Sequence, residues 1–124
     1  MYCHADPEVA AEKGLEYMTN YFLTIVSHYE LMSDHFKNVK GYDSYATASE
    51  LFRQVGLEPA ARTYCSVNTY GTPTQIVEKL RARRELIGDF ELNMIVSYGG
   101  MSQAEAEASV RLFAEEVLPE LHSW

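Results

Sequence analysis

The residues of this sequence that could do chemistry are, first, its histidines and its acidic pairs. His28 and His35 lie seven residues apart on a predicted helix, which puts them on one face with Asp34 nearby. A metal site would need a third ligand at a matching spacing, such as H-x-x-x-H or H-x-x-E-H, and the sequence contains neither. The histidines are therefore interpreted as half-buried helix residues, the pair Glu105 and Glu107 as a solvated helix face, and no metal site is predicted.

The sequence lacks the fingerprints of the common hydrolases and nucleotide-binding proteins. It has no G-x-S-x-G, no Walker loop and no G-x-G-x-x-G. Its two cysteines, Cys3 and Cys65, are far apart and outside any metal-ligand or C-x-x-C spacing. Two reduced thiols are the favoured interpretation, and a single disulfide is the alternative. Because the stretch from Met1 to Pro7 has neither a basic start nor an apolar run, it does not resemble a signal peptide, and a cytoplasmic protein is predicted.

Charge and hydropathy argue against two kinds of partner. The 124 residues carry 10 Lys and Arg against 18 Asp and Glu, a formal net charge of -8, whereas nucleic acid is bound by clustered basic residues. The densest basic run, Arg81, Arg83 and Arg84, lies beside Glu78 and Glu85 and is interpreted as a solvated helix face with ion pairs. No apolar run approaches the roughly 18 residues of a membrane span. Neither nucleic acid nor a membrane is predicted as a partner.

Helical periodicity and capping residues define four predicted helices. Asp6 as N-cap and Pro7 at the first helical position begin the first of them. Capping boxes at Thr72–Gln75 and Ser102–Glu105 begin the last two, and Pro119 limits the final helix. The predicted helices span residues 7–36, 43–55, 73–87 and 103–118.

Extended segments are predicted between these helices, at 62–70 and 90–97, with a turn at 57–60. Residues 90–97 alternate between apolar and polar positions, and Met1–Cys3 is interpreted as the stub of a further strand. The succession of strand, helix, strand and helix predicts an α/β fold with two or three short parallel strands. Because so few parallel strands leave edges and faces uncovered, we interpret 1–124 as a single partial domain, a slice of a larger one.

Two glycine turns are the remaining candidates for a site. Gly71 and the pair Gly99–Gly100 each follow a predicted strand and precede a capped helix, so both turns are placed at the carboxyl ends of strands. In a (β/α)8 barrel that rim builds the active site, and its last loops frequently bind phosphate through helix N-terminal N–H groups. The alternative is that these glycines only permit tight turns with positive φ, and spacing alone favours it.

Four blocks in the last third of the chain resemble the C-terminal signature of the luciferase-like flavin-dependent monooxygenases. They are Gly71–Leu80 (GTPTQIVEKL), the strand at 90–97, the turn Gly99–Met101 (GGM), and Arg111–Pro119 (RLFAEEVLP). The resemblance is close over residues 70–121. Residues 1–60 are similar to a helical insertion region in one branch of that family, and 61–124 then correspond to the last strand–helix units of its barrel.

The resemblance implies the C-terminal part of a (β/α)8 TIM-type barrel that uses reduced FMN and O2 to oxidise a small organic substrate. The protein's part would be to orient and shield the flavin, with the reduced cofactor supplied by a separate flavin reductase. Some relatives use a deazaflavin for hydride transfer instead. The resemblance also implies flavin contacts at Gly71, Gly99 and Gly100, and a substrate pocket at Tyr70, Tyr98 and Met101. The family's first strands carry its usual catalytic residues, so none is assigned here, and the chain alone is expected to be inactive.

A second interpretation, from a different class, is a non-catalytic helical interaction module. Tyr17, Tyr21, Ile25, Tyr29 and Met32 form one stripe along the first predicted helix. This stripe would pack against a partner or against another copy of the chain in a homo-oligomer. The sequence leaves the substrate, the reductase and the oligomeric state open.

Overall fold

A computed structural model describes all 124 residues, which form six α-helices and two short β-strands. The elements follow one another as β1 (Tyr2–Cys3), α1 (Pro7–His28), a 3-10 helix (His35–Asn38), α2 (Asp43–Val55), α3 (Leu57–Val67), β2 (Tyr70–Gly71), α4 (Pro73–Ile87), α5 (Gln103–Glu116) and α6 (Leu118–His122). The fold is thus rich in helix and contains one two-stranded parallel sheet, which is consistent with the predicted α/β class.

Helix α1 begins where the sequence predicts and ends earlier. The Asp6 carboxylate accepts the backbone N–H groups of Glu8 at 2.8 Å and Val9 at 3.2 Å, and Pro7 occupies the first turn. The helix stops at His28 rather than at residue 36, because Glu30 adopts a left-handed conformation with φ of 49°. The prediction of one continuous helix is therefore wrong, and His35 lies in the separate 3-10 helix.

The prediction of a turn at 57–60 and a strand at 62–70 is also wrong, because helix α3 covers Leu57–Val67. Gly56, with φ of 84°, ends α2 and lets a new helix begin at once. Pro59 lies within the first turn of α3, where its missing N–H costs no hydrogen bond. Ala61 and Cys65 form the buried face, so the β-branched residues of this segment gave a misleading strand signal.

Only Tyr70–Gly71 of that predicted strand is extended, and it pairs in parallel with β1. Tyr2 lies opposite Tyr70 and Cys3 opposite Gly71, and the His4 N–H donates to the Gly71 carbonyl at 3.2 Å. The prediction that Met1–Cys3 includes a strand is confirmed. The two parallel strands are joined by a crossover through α1, α2 and α3, as parallel neighbours require.

The prediction of a strand at 90–97 is wrong, because this segment pairs with no other strand. The Ile95 carbonyl accepts a hydrogen bond from the Met1 nitrogen at 2.7 Å, but none of the backbone N–H groups from Phe90 to Tyr98 donates to another backbone group. A strand is defined by its ladder, so alternation of residue type without a paired neighbour leaves an extended segment only.

Helices α4 and α5 confirm both predicted capping boxes. The Thr72 and Ser102 hydroxyls accept the N–H groups of Gln75 and Glu105, and the Gln75 and Glu105 side chains accept in return. Helix α4 ends at Gly88, as predicted. The last helix is divided in two near Val117, so that Pro119 lies inside the short α6 instead of ending the chain's helical part.

The interior consists of three small apolar clusters rather than one core. The first joins β1, α1, α3 and the start of α5; the second joins β1, α4 and α5; the third joins α1, the 3-10 helix and α3. The accessible surface is 8013 Å², whereas a compact monomer of 14.1 kDa exposes about 6,700 Å². The molecule therefore exposes more surface than its mass requires. None of its helices combines the length and apolar character needed to cross a bilayer.

Candidate functional site

Three of the residues predicted to form a substrate pocket lie together in the fold. Tyr98 and Met101 belong to the first apolar cluster, and Tyr70 packs against it. The Tyr70 ring lies over Gly14 of α1, where an added Cβ would approach the ring to 2.2 Å. The Met101 N–H donates to the Tyr98 carbonyl at 3.1 Å, which closes the turn between them.

The three glycines predicted to contact flavin have different surroundings. A Cβ at Gly99 would lie 2.0 Å from the Tyr17 carbonyl oxygen, and one at Gly71 would lie 2.7 Å from the Gln75 side-chain oxygen. Gly100, with φ of 86°, has no protein atom within 4 Å of such a Cβ. Gly71 and Gly99 therefore allow close packing within the chain, and Gly100 alone leaves room for another molecule.

A cavity of about 220 Å³ lies between the first two clusters and the extended segment 90–97. We call it the Tyr98 cavity; ten of its fourteen lining residues are hydrophobic. The lining consists of Met1, Met18, Tyr21, Tyr64, Asn68, Thr69, Leu80, Arg83, Leu92, Asn93, Met94, Ile95, Tyr98 and Phe113. Tyr98 is the only one of the six predicted site residues among them.

Two residues that line this cavity have hydroxyl groups without a hydrogen-bond partner. The Oη atom of Tyr98 and the Oγ1 atom of Thr69 are both buried and unpaired, and Tyr98 as a whole is only 8% exposed. Burial, with a smaller contribution from Tyr64, raises the pKa of Tyr98 well above its ordinary value. The phenol is therefore a neutral donor at physiological pH. Such groups are costly to bury unpaired.

Two basic residues of α4, beside the cavity, bind the carbonyl groups at the C-terminal end of α3. Lys79 donates to the Ser66 and Asn68 carbonyls, and Arg83 donates to the Val67 carbonyl at 2.9 Å. Carbonyls at a helix C-terminus attract cations. Burial, with a contribution from Arg83, lowers the pKa of Lys79. The predicted face with ion pairs is confirmed for Arg81 and Arg84, which pair with Glu120 and Asp89, whereas Arg83 binds a backbone carbonyl instead.

Tyr17 and Glu105 connect α1 to the first turn of α5. The Tyr17 hydroxyl donates to one carboxylate oxygen of Glu105, and the Ser102 hydroxyl donates to the other at 2.5 Å. The hydrogen bonds from Ser102, and then that from Tyr17, lower the pKa of Glu105 to about 2. The same contact raises the pKa of Tyr17 to about 12. This pair holds the Gly99–Gly100 turn between the two helices.

No other group of chemistry-bearing residues comes together. No cluster of three or more His, Cys, Asp or Glu side chains could hold a metal ion. His28 packs edge-on against Tyr29, and His35 lies against Phe36. Cys3 and Cys65 are buried free thiols in different clusters.

Most of the cavity wall lies outside the residues that the sequence predicts as a site. Thr69 and Tyr64 were assigned to a strand, and Met18 to the first helix with no site role. Their convergence depends on the packing of α1 against α3, which residue spacing does not reveal. The available signal was the alternation of Phe90, Leu92 and Met94 with polar residues between two capped helices, because the apolar face of such a segment needs cover.

Comparisons of the chain with models of known protein families, with curated proteins and with solved structures find no match.

Proposed function

We propose that this chain is part of a flavin-dependent oxidoreductase that uses reduced flavin and O2 to oxidise a small organic molecule. What carries the proposal is the parallel pairing of β1 and β2, each followed by a capped helix, α1 or α4, with helices forming the crossover. This is the repeating unit of a (β/α)8 barrel, in which ligands bind at the carboxyl ends of the strands. The four sequence blocks that resemble the luciferase-like monooxygenases support the same assignment.

The exposed surface supports the partial-domain interpretation. The excess over a compact monomer is about 1,300 Å², which exceeds the roughly 800 Å² per partner of an ordinary protein interface. The unpaired N–H groups from Phe90 to Tyr98 are an open edge of the kind that further strands of a barrel would cover. In the proposed enzyme, this surface is buried against the rest of the barrel.

The residues present fit one part of a flavin site. Gly100 leaves open space directly before the capped start of α5, so it could lie against the cofactor, whereas Gly71 and Gly99 hold their own neighbours. Reduced FMN, when bound, would supply the reaction with O2. The chain's own contribution is the apolar wall of the Tyr98 cavity, which would exclude water and hold the organic substrate.

A flavin titration tests the proposal. We expect the 124-residue chain to bind FMN weakly or not at all, and a polypeptide that adds further strand–helix units upstream to bind reduced FMN. A reduced deazaflavin serves as a parallel titrant, because tighter binding of that cofactor would assign hydride transfer instead of monooxygenation. Tight, stoichiometric quenching of flavin fluorescence by the 124-residue chain would contradict the placement of the site.

The Gly100→Ala substitution tests the flavin contact in the longer polypeptide. The added methyl group fills the open space at Gly100 and should weaken FMN binding per folded molecule. Gly41→Ala is the matched control, because Gly41 also has a positive φ of 87° and open space around it, but lies before α2. Equal FMN affinities for the two variants would leave the Gly100 turn with a structural role only.

A second candidate function, a helical interaction module, is favoured by a different surface from the predicted one. Tyr17 of α1 is buried inside the chain and Tyr21 and Ile25 are partly buried, so the first three residues of the predicted stripe pack within the fold. Tyr29 and Met32, the last two, are exposed and lie beyond the end of α1. Tyr42 and Tyr45 are instead exposed, with their rings 5.4 Å and 5.2 Å from the ring of Phe36. If this function is the correct one, Tyr42→Ser should reduce self-association in sedimentation measurements while Tyr29→Ser, at another exposed tyrosine, should not.

A further inference from the structure

We propose that the Tyr98 cavity binds a compact apolar carboxylate of about the size of benzoate, with the carboxylate held by the guanidinium group of Arg83. This inference deepens the proposed function, because it names the class of the organic substrate. Only the identification of this molecule as the substrate rests on that function. The binding itself depends on residues of this chain alone, without a flavin.

The wall of the cavity determines the body of the ligand. Met18, Leu80 and Phe113 come from three helices, and Leu92 and Met94 come from the extended segment. Apolar walls with a few polar groups are typical of small-molecule sites. An apolar cavity of roughly 150 Å³ can bind benzene. The Tyr98 cavity, at about 220 Å³, therefore has room for a benzene ring with one small substituent.

Arg83 differs from the other arginines of the chain in having no acidic partner. Each of the others forms an ion pair with an Asp or Glu side chain: Arg53, Arg62, Arg81, Arg84 and Arg111. The Nη2 atom of Arg83 donates to the Val67 carbonyl at 2.9 Å. Its Nε and Nη1 atoms form no hydrogen bond and are not among the buried polar atoms that lack a partner, so both are accessible. Arg83 thus keeps free charged donors although the chain has a net charge of -8.

The charged groups that line the cavity are basic. The lining has no acidic side chain, and its charged groups are the Arg83 guanidinium and the Met1 amino group. Burial lowers the pKa of the Met1 amino group to about 6, so Arg83 supplies the positive charge at neutral pH. The C-terminal end of α3 offers only about half a negative charge, and Lys79 already binds two of its carbonyls. A positive charge therefore remains at Arg83 that no group of the chain balances.

This charge determines the polar group of the ligand. A carboxylate accepts charge-assisted hydrogen bonds from a guanidinium, which are about twice as strong as those between neutral groups. A cationic ligand would meet a charge of its own sign and no acidic side chain. A small inorganic anion could reach Arg83 but would leave the apolar wall uncovered. The ligand that uses both features has an apolar body and one carboxylate.

Four probes test the ligand class on the ¹⁵N-labelled chain. Benzoate carries the carboxylate, benzamide replaces it with a neutral amide, and benzamidine replaces it with a cation of the same shape. Acetate keeps the carboxylate without the ring. Binding is followed by the amide shifts of Val67, Asn68 and Asn93. Nuclear Overhauser contacts between the ring protons and the methyl groups of Met18 and Met94 place the ligand in the cavity.

We expect benzoate to bind most tightly of the four. Its affinity should exceed that of benzamide about ten-fold or more, as expected for a hydrogen bond to a charged group. Benzamidine should not bind, because its charge has the same sign as that of Arg83. Acetate should bind weakly, because it buries little apolar surface.

Substitutions on α4 test the role of Arg83. Arg83→Gln should reduce benzoate affinity about ten-fold, to that of benzamide, and leave benzamide binding unchanged. Arg81→Gln is the matched control, because it removes the same charge from the same helix at a residue that pairs with Glu120 and does not line the cavity. If Arg83→Gln does not fold, salt provides the test on the parent chain. Raising the ionic strength from about 0.01 M to about 1 M should weaken benzoate binding several-fold and leave benzamide binding unchanged.

The proposal is overturned if benzoate does not bind in the cavity, if benzamide or benzamidine binds as tightly, or if Arg83→Gln binds benzoate as the parent chain does. An equal loss in Arg81→Gln would also overturn it, because the effect would then come from net charge. None of these results bears on the flavin titration, because no flavin is present. A failure of FMN to bind the longer polypeptide would leave the benzoate result standing and remove only the role of the carboxylate as the oxidised substrate.

Discussion

Among single residues, the adjacent glycines Gly99 and Gly100 have opposite surroundings and make a matched pair. Gly99→Ala would place a methyl group 2.0 Å from the backbone oxygen of Tyr17, in a helix that cannot move aside locally. Because Gly99 also has a positive φ of 63°, we expect this substitution to lower the free energy of unfolding by more than about 3 kcal/mol. Gly100→Ala has only the strain of positive φ and should cost about 1 kcal/mol. Urea denaturation measures both, and equal losses would show that α1 does not constrain the turn.

The turn also shows what could be predicted at this scale. The sequence identified Gly99 and Gly100 as a turn between an extended segment and a capped helix, and the structure has that turn. Spacing gave no means of separating the two glycines, because the contact of Gly99 with Tyr17 joins residues 82 positions apart in the chain. Long-range contacts of this kind depend on helix packing rather than on local pattern.

Among the elements, α1 and α5 are held together by a pair whose strength depends on pH. The folded pKa of Glu105, about 2, lies below its ordinary value of 4.5. Its hydrogen bonds therefore stabilise the fold fully above pH 4.5, and the contribution is lost as pH falls from 4.5 towards 2. Glu105→Gln should lower the melting temperature at neutral pH, and at acid pH the melting temperature of this variant should approach that of the parent chain. Glu107→Gln, which removes an exposed ion pair with Arg111, should keep the parent's pH dependence; an identical pH profile for both variants would contradict this role.

The extended segment 90–97 predicts a distinct pattern of hydrogen exchange. Because the N–H groups from Phe90 to Tyr98 lack backbone partners, they should exchange with solvent much faster than those in the middle of α4. In a longer polypeptide that supplies a neighbouring strand, the same amides should become protected. Amide exchange followed by NMR checks both expectations. Strong protection in the 124-residue chain would mean that the segment already has a partner.

The elements that the sequence predicted correctly are those with local signals. Asp6, Thr72 and Ser102 are capping residues whose hydrogen bonds join positions two or three apart, so α1, α4 and α5 begin where predicted. The errors at 62–70 and 90–97 concern strands, whose existence depends on a neighbour distant in sequence. Helix α3 was missed because burial of Ala61 and Cys65 against α1 outweighs the strand preference of Thr63 and Val67.

For the whole molecule, three small clusters in place of one core suggest limited cooperativity between its parts. The third cluster, around Phe22, Val26 and Phe36, shares no buried residue with the second, around Ile76, Leu80 and Val117. Trp124, the only tryptophan, packs against the second cluster. Its fluorescence therefore reports that cluster, whereas far-UV circular dichroism reports all six helices.

We expect the two probes to give different urea midpoints, with the dichroism signal changing first as α2 and the 3-10 helix unfold. Phe36→Ala removes a buried ring from the third cluster and should lower the early midpoint, at a cost of about 3 kcal/mol or more, while leaving the tryptophan midpoint in place. Leu80→Ala is the complementary variant, because it should lower the tryptophan midpoint. If both probes share one midpoint and both substitutions shift it together, the clusters form one cooperative unit, and the excess surface reflects shape rather than a missing part of the domain.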